Sequence, residues 1–221
     1  MSEAVLVRAP VFDDRRAAGR VLADEAVDLR GPSLLVFGLA RGGVVVAAEV
    51  ARILGAPLDA IAVRKVGHPW QPEYAIGAVT PRCAYLRDSD DLSEQDLEQV
   101  VGRARLAAIE LDARLHAERG APAPAGKVVL VVDDGLATGA TMIAALRALR
   151  AAGAALVIAG VPVGAAESLG DLQDEADRVI CPFPVSPFVA VSIWYARFGQ
   201  VGDREVIRLL DEAAKRAALS P

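Results

Sequence analysis

The sequence predicts an α/β protein with a doubly wound core: a five-stranded parallel sheet flanked by helices, plus a long inserted helix and a small C-terminal hood segment. Three observations carry this expectation. Short apolar runs alternate with segments of helical periodicity along most of the 221 residues. Two of the runs, LLVFGL and VVLVV, lead at once into glycine-containing turns and further helical segments. One long helical pattern separates the second predicted core strand from the third.

The elements follow in chain order. Residues 14–25 carry apolar side chains at Ala18, Val21 and Leu22, with Ala26 beyond, and read as a helix laid against the sheet in a structural role. The run 34–39 is a buried-type strand, followed after ARGG by an amphipathic helix over 44–54. A second strand is expected at 58–66 and a short extra one at 74–79. Ser93 with Asp96 resembles a capping box, and Leu97, Val100, Val101, Ala104, Ala108, Leu111 and Leu115 recur at helical spacing towards Gly120. That helix is a lid or a dimer surface. APAPAG, 121–126, is a short linker. A third strand at 128–132 precedes a helix over 139–152, with Gly153 placed to end it. Strands at 156–163 and 178–181 flank a helix at 165–176. The segment 182–203 is irregular and aromatic-rich, with Phe183, Phe188, Trp194, Tyr195 and Phe198, before a last helix starting near Asp203. The whole reads as one domain, 1–221, with an insertion or flap at 67–126 and a hood at 182–203.

Composition narrows the function classes. A net charge of −5 and a pI near 5.1 give no electrostatic footprint for nucleic acid. Hydrophobic residues make up 53% of the chain, but much of that is alanine, and no apolar run approaches the roughly 18–20 residues of a membrane span. Cys83 and Cys181 are too few for a disulfide framework or a cysteine zinc cluster, and the N-terminus lacks a basic start followed by an apolar core. A soluble protein of the reducing cytoplasm is expected, with neither nucleic acid nor membrane as partner.

The chemistry concentrates in VVLVVDDGLATGAT, 128–141. Asp133 and Asp134 fall at the carboxyl end of a parallel strand, where open α/β sheets bind ligands. The turn that follows feeds a helix, so backbone N–H groups and the positive end of the helix dipole converge on one spot suited to phosphate. Small residues at Ala137, Gly139 and Ala140 allow close approach, and the hydroxyls of Thr138 and Thr141 add donors. The paired carboxylates cannot hold that phosphate, but they can accept hydrogen bonds from vicinal hydroxyls. Together they describe a ribose 5-phosphate. A Walker A loop is excluded because no Gly-Lys-Ser/Thr occurs. A phosphoreceiver domain needs a phosphoacceptor aspartate ending a later strand, whereas 156–163 ends in VPV. The plainest alternative is a capped helix with Thr138 as N-cap and two solvated aspartates.

This stretch resembles the 5-phosphoribosyl-1-pyrophosphate (PRPP) binding motif of type I phosphoribosyltransferases, and the strand order with an intervening flap is similar over most of the chain. The resemblance implies that Asp133 and Asp134 hold the ribose hydroxyls, that Gly135 belongs to the PRPP-binding loop, and that Ala137, Thr138, Gly139, Ala140 and Thr141 hold the 5-phosphate. In 6-oxopurine members the position of Ala137 is an aspartate near the base; alanine here argues against a hypoxanthine or guanine enzyme working through that carboxylate.

FGLARGGVVVA, 37–47, repeats the strand-turn-helix logic. A pyrophosphate fits there, with Arg41 as a forked cation and Gly42 and Gly43 baring the backbone. The competing reading is a tight turn that needs glycine for its backbone. The resemblance implies a non-proline cis peptide in this loop, at Ala40-Arg41. Arg64 and Lys65 are expected at the same sheet edge as Asp133; similar Arg-Lys pairs in orotate phosphoribosyltransferases face the pyrophosphate, and a solvated strand end is the alternative. Asp133, Asp134 and Lys65 are the candidate catalytic residues, with Asp133 and Asp134 also reaching Mg²⁺ directly or through water. His68, beside Pro69 and Trp70, reads as a packing residue, and His116 as a helix-surface residue. Phe183, Phe188 and Trp194 are candidates to stack on an acceptor, although Trp194 and Tyr195 also suit an anchoring role.

The expected activity is phosphoribosyl transfer from PRPP to a small-molecule acceptor, with Mg²⁺ as cofactor and a homodimer as a possible assembly. The rival is a regulatory protein that senses PRPP or a nucleotide; an intact Arg41-Gly42-Gly43 with Arg64-Lys65 favours turnover.

Overall fold

Alternation within the apolar runs builds a sheet buried on both faces. The structure, a computed structural model, describes residues 10–87, 89, 91–117 and 122–219. Its main sheet has the parallel order β2-β1-β6-β7-β9, with β1 at Leu34–Leu39, β2 at Leu58–Ile61, β6 at Val128–Val132, β7 at Leu156–Gly160 and β9 at Arg178–Ile180. Leu35, Phe37, Val129, Val131, Val157 and Ala159 pack on one face against α4, Ala140–Ala151. Leu34, Val36, Leu130, Val132 and Ile158 pack on the other against α1, Arg15–Glu25, and α2, Gly42–Leu54. A strand exposes successive side chains to opposite faces, so these runs must be covered twice. This is the predicted doubly wound core.

The expected strand 58–66 divides. β2 pairs with β1 as far as Ile61↔Leu39, where β1 itself ends, so the chain beyond has no partner in the main sheet. It restarts as β3, Arg64–Gly67, in a separate antiparallel sheet with β4, Ala75–Val79, and β5, Ala84–Leu86. The strand expected at 156–163 also stops early, at Gly160 and ahead of Pro162. Residues Val163–Ala165 form β8, which pairs with β10, Phe183–Val185, giving order to part of the segment read as irregular. Between them, α5 covers only Ala166–Leu172.

The long helix α3 runs Glu94–Leu115, with Ser93 accepting the Asp96 N–H as predicted. Leu97, Val100, Val101, Ala104 and Ala108 pack on the small sheet, while Leu111 and Leu115 meet α6, Asp203–Leu219, in a cluster beside α2 and β2. Leu106 and Ile109 are exposed. The expected helix stop at Gly120 and the start of the 121–126 linker lie outside the described residues. So does nearly all of the N-terminal stretch read for targeting signals. No helix among the described residues is long and apolar enough to cross a membrane.

His116 corrects its surface reading. Its Nε2 lies 3.1 Å from Oδ1 of Asp59, a strand residue only 2% exposed, and its Nδ1 is 3.0 Å from the Asp112 carbonyl oxygen. An aspartate inside an apolar strand requires a partner. The hydrogen bond that His116 donates to Asp59 raises the His116 pKa, against the opposing effect of burial. His68 is buried as expected, edge-on to Trp70, with Nε2 3.3 Å from Oδ2 of Asp91.

Candidate active site

Strand order reverses between β1 and β6, since β1 leads outward to β2 and β6 leads outward to β7 and β9. The turns after β1 and β6 therefore open into one crevice beyond the carboxyl ends of the strands.

Asp133 and Asp134 stand at that edge, and they are not equivalent. The Asp134 N–H donates to Oδ1 of Asp133 at 2.8 Å, while Oδ2 of Asp134 receives Nε of Arg15 at 2.7 Å. The Arg15 and Asp134 side chains are 11% and 14% exposed, so solvent screens this pair poorly. The Arg15 guanidinium also lies 3.8 Å from the centre of the Phe198 ring and donates to the Gly199 carbonyl at 2.8 Å. The Tyr195 hydroxyl donates to the backbone oxygen of Asp134. Asp134 thus has its counter-ion built in. Burial, and then the charge of Asp134, push the Asp133 carboxyl well above the usual carboxylate range, opposed by the Asp134 N–H and the charges of Lys65 and Arg15. Such a carboxylate gains from hydrogen-bond donors arriving with a ligand.

The turn after the pair is held from one side and open on the other. Leu136 donates its N–H to Val163 and accepts from the Ala165 N–H, both at 2.9 Å, and Ser168 Oγ donates to the Ala137 carbonyl at 2.6 Å. Ala137 and Thr138 are exposed, and Thr141 is half-buried in the first turn of α4. The N-cap is Gly139, at φ 76° and without a side-chain cap, so the plain alternative of Thr138 as N-cap does not describe this helix start. A Cβ at Gly139 would meet its nearest neighbours only at 3.9 Å, so left-handed backbone, not crowding, selects glycine there.

At the other turn the Ala40-Arg41 peptide is cis. Gly42 and Gly43 are demanded by crowding. A Cβ on Gly42 would lie 2.1 Å from Oδ2 of Asp134, and one on Gly43 2.6 Å from the Val132 carbonyl oxygen. The glycines let the start of α2 sit directly against the acidic pair.

The basic residues split between two neighbourhoods. Lys65 is exposed and its charge acts on Asp133. Arg64, one residue away on β3 and half-buried, answers to other groups: burial lowers its pKa first, then the charges of Arg41 and Arg114, while Asp203 opposes. Arg41 does not stand free at its turn, for its Nε donates to Oδ1 of Asp203 at 2.6 Å, and Arg114 Nε donates to Oδ2 at 3.1 Å.

The model of the phosphoribosyl transferase domain family matches residues 14–191, a span holding the acidic pair and both turns. The chain belongs to the phosphoribosyl transferase family. The crystal structure of TT1426 from Thermus thermophilus is similar with a TM-score of 0.79 and 40% identity, over 91% of this chain and 98% of that one. Two proteins provisionally named phosphoribosyl transferase, from Mycobacterium tuberculosis strains CDC 1551 / Oshkosh and H37Rv, are each 40% identical over 208 residues, or 92% of this chain. The chain spans 47% of their length.

The aromatic segment backs the acidic pair. Trp194 is 7% exposed and packs with Phe12, Val163 and Tyr195, and the Phe12 N–H donates to the Trp194 carbonyl at 2.9 Å. The anchoring alternative therefore describes Trp194 and Tyr195; a ring so enclosed offers no face to an acceptor. Phe188 is partly buried in the same cluster, and Phe183, 36% exposed, leans edge-on against Phe12. Val191 fills the space that a Cβ on Gly135 would need, 2.5 Å away.

Arg15 escaped the sequence reading, which gave its helix a purely structural role. A signal was available: α1 has Arg15 and Arg16 in its first turn and no acidic residue there, against the preference of a helix N-terminus for negative charge. Arginine in that place calls for a carboxylate elsewhere.

Proposed function

We propose that this chain transfers the phosphoribosyl group of PRPP to a small-molecule acceptor and releases pyrophosphate. One observation carries the reading: two strand-turn-helix loops open into the same crevice on either side of an acidic pair, one of whose carboxylates is already neutralised. The 5-phosphate takes the Ala137 to Thr141 turn, where backbone donors and the start of α4 favour an anion. The ribose hydroxyls donate to Asp133 and Asp134, which holds Asp133 in its charged form. The diphosphate takes the Ala40 to Gly43 turn with Lys65 alongside.

The reaction asks the protein for position and charge compensation more than for covalent chemistry. The bond from C1 of ribose to the diphosphate oxygen breaks with its electron pair leaving on the diphosphate. C1 gains oxocarbenium character, and the acceptor's lone pair closes on it, the acceptor then losing a proton. Asp133 and Asp134 lie at the ribose, where their negative charge favours that developing cation. Lys65 faces the departing negative charge.

Magnesium suits this donor set. Among the described residues no group of three or more ligating side chains is assembled, but two adjacent carboxylates are, and Mg²⁺ commonly binds through one or two carboxylates plus substrate oxygens and water. Asp133 and Asp134 would hold it, directly or through water. When bound, it would neutralise charge on the leaving diphosphate.

Thermal unfolding with and without PRPP, ribose 5-phosphate and Mg²⁺ tests binding, with about 2.7 kcal/mol of added stability expected at a hundredfold excess over Kd. Pyrophosphate release across a panel of bases and amines tests turnover. Stabilisation with no release from any acceptor would support the rival reading, a regulatory protein that senses PRPP. No stabilisation by either sugar phosphate would overturn both.

A further inference from the structure

Two guanidinium groups, Arg41 at the start of α2 and Arg114 on α3, bond to the carboxylate of Asp203 at the start of α6, and Arg64 on β3 feels the charges of all three. Arg41 and Arg114 bond to separate oxygens of that carboxylate, with side chains 43% and 47% exposed against 25% for Asp203. Arg64 and Val66 share a face of β3, and Val66 packs in the cluster that α3 forms on the small sheet. Lys65, whose charge reaches Asp133, lies on the opposite face. Arg41 is thus bonded to Asp203 of α6, while the Gly42 beside it abuts the acidic pair.

We propose that Asp203 is a positioning residue for the leaving-group subsite: it holds Arg41 aside until a diphosphate arrives, and Arg114 shares Asp203 so that Arg41 can be given up. The inference rests on the reading of the Ala40 to Gly43 turn as the pyrophosphate subsite. The energetics favour exchange. An exposed ion pair contributes little and is screened by salt, so Arg41 is held loosely. A diphosphate presents several charges and suits bidentate contact with a guanidinium better than one carboxylate already divided between two arginines. Arg114 then keeps Asp203 compensated, so Arg41's departure leaves no bare carboxylate to repel the incoming anion.

The test is titration of inorganic pyrophosphate, and separately of ribose 5-phosphate, with Mg²⁺ present, into wild type, Asp203→Asn, Arg114→Gln and the double variant. Asp203→Asn should bind pyrophosphate about two- to fivefold tighter, the worth of an exposed ion pair. Arg114→Gln should bind it weaker by a similar factor, because Asp203 then holds Arg41 alone. In the Asp203→Asn background Arg114→Gln should change nothing, since Arg114 acts through Asp203. Ribose 5-phosphate should bind all four proteins alike. A folding defect does not tighten a ligand, and Asp203→Ser, which keeps a residue suited to a helix start, should reproduce the gain.

Unchanged or weaker pyrophosphate binding in both Asp203 variants, with Arg41→Ala still impairing it, would overturn the positioning role and leave the subsite standing. An equal loss from Arg114→Gln with and without Asp203 would show direct contact by Arg114 and overturn the sharing. Failure of every protein to bind pyrophosphate would remove the subsite reading itself, and this inference with it.

Discussion

The turn after β6 and the turn after β1 both pass from a buried strand through glycine into a helix, yet their glycines answer different demands. At Gly139 the backbone is left-handed and a Cβ would make only ordinary contacts, the nearest at 3.9 Å. At Gly42 and Gly43 a Cβ would collide with Asp134 and with the end of β6. The first turn owes its glycine to backbone conformation, and it leaves Ala137 and Thr138 exposed ahead of a helix start. The second is fitted to the neighbouring loop, so its conformation and that of the acidic pair cannot be changed separately. The first is tied down by α5 and β8, whereas the second reaches α6 through the exposed Arg41–Asp203 pair, which Arg114 of α3 shares.

The largest expected effect removes support from the second turn. His116 joins the end of α3 to the buried Asp59 of β2, beside β1. His116→Ala leaves that carboxylate buried and unpaired and should destabilise the protein by about 3–5 kcal/mol, read by denaturant unfolding. A loss below about 1 kcal/mol would mean that water already compensates Asp59.

Next come the glycines themselves. Gly42→Ala should cost about 1–3 kcal/mol through overpacking and also displace Asp134, so that ribose 5-phosphate binding falls together with that of pyrophosphate. Gly139→Ala should cost about 1–2 kcal/mol through left-handed strain alone, and weaken only ligands that carry the 5-phosphate. Calorimetric titration of both ligands into both variants checks this, and identical ligand profiles would erase the distinction between the turns.

A smaller effect is a pH dependence confined to the support of the second turn. Asp59 and Asp112 face His116, and its folded pKa is raised above the ordinary value of 6.5. The stabilisation is therefore fully present below pH 6.5 and is lost as pH rises through the raised value. Melting temperature should fall over that window in the wild type, and this component should vanish in His116→Gln. Retention of the same slope in the variant would assign it to other groups.

What the sequence made legible was local. LLVFGL, VVLVV and the DDGLATGAT turn carry their own period, punctuation and donors, so strands, helices and the acidic pair could be placed without a fold. The remainder depends on distant partners. The break between β2 and β3 follows from where β1 ends, which no property of residues 58–66 encodes. Asp134 meets Arg15 across 119 residues, and Arg41 meets Asp203 across 162; nothing local to either arginine names its partner. Trp194 has the composition of a stacking platform, and only tertiary packing shows it enclosed.

The central claim is a division of labour between the two turns, and Arg41→Ala tests it most directly when ribose 5-phosphate and PRPP are titrated in parallel into wild type and variant. Losing one charge-assisted contact costs about 1.5–3 kcal/mol, so PRPP should bind roughly ten- to a hundredfold weaker. Ribose 5-phosphate should bind almost unchanged, because its phosphate occupies the Ala137 to Thr141 turn. Equal losses for the two ligands would mean that the Ala40 to Gly43 turn is a structural corner and that the diphosphate has no subsite there.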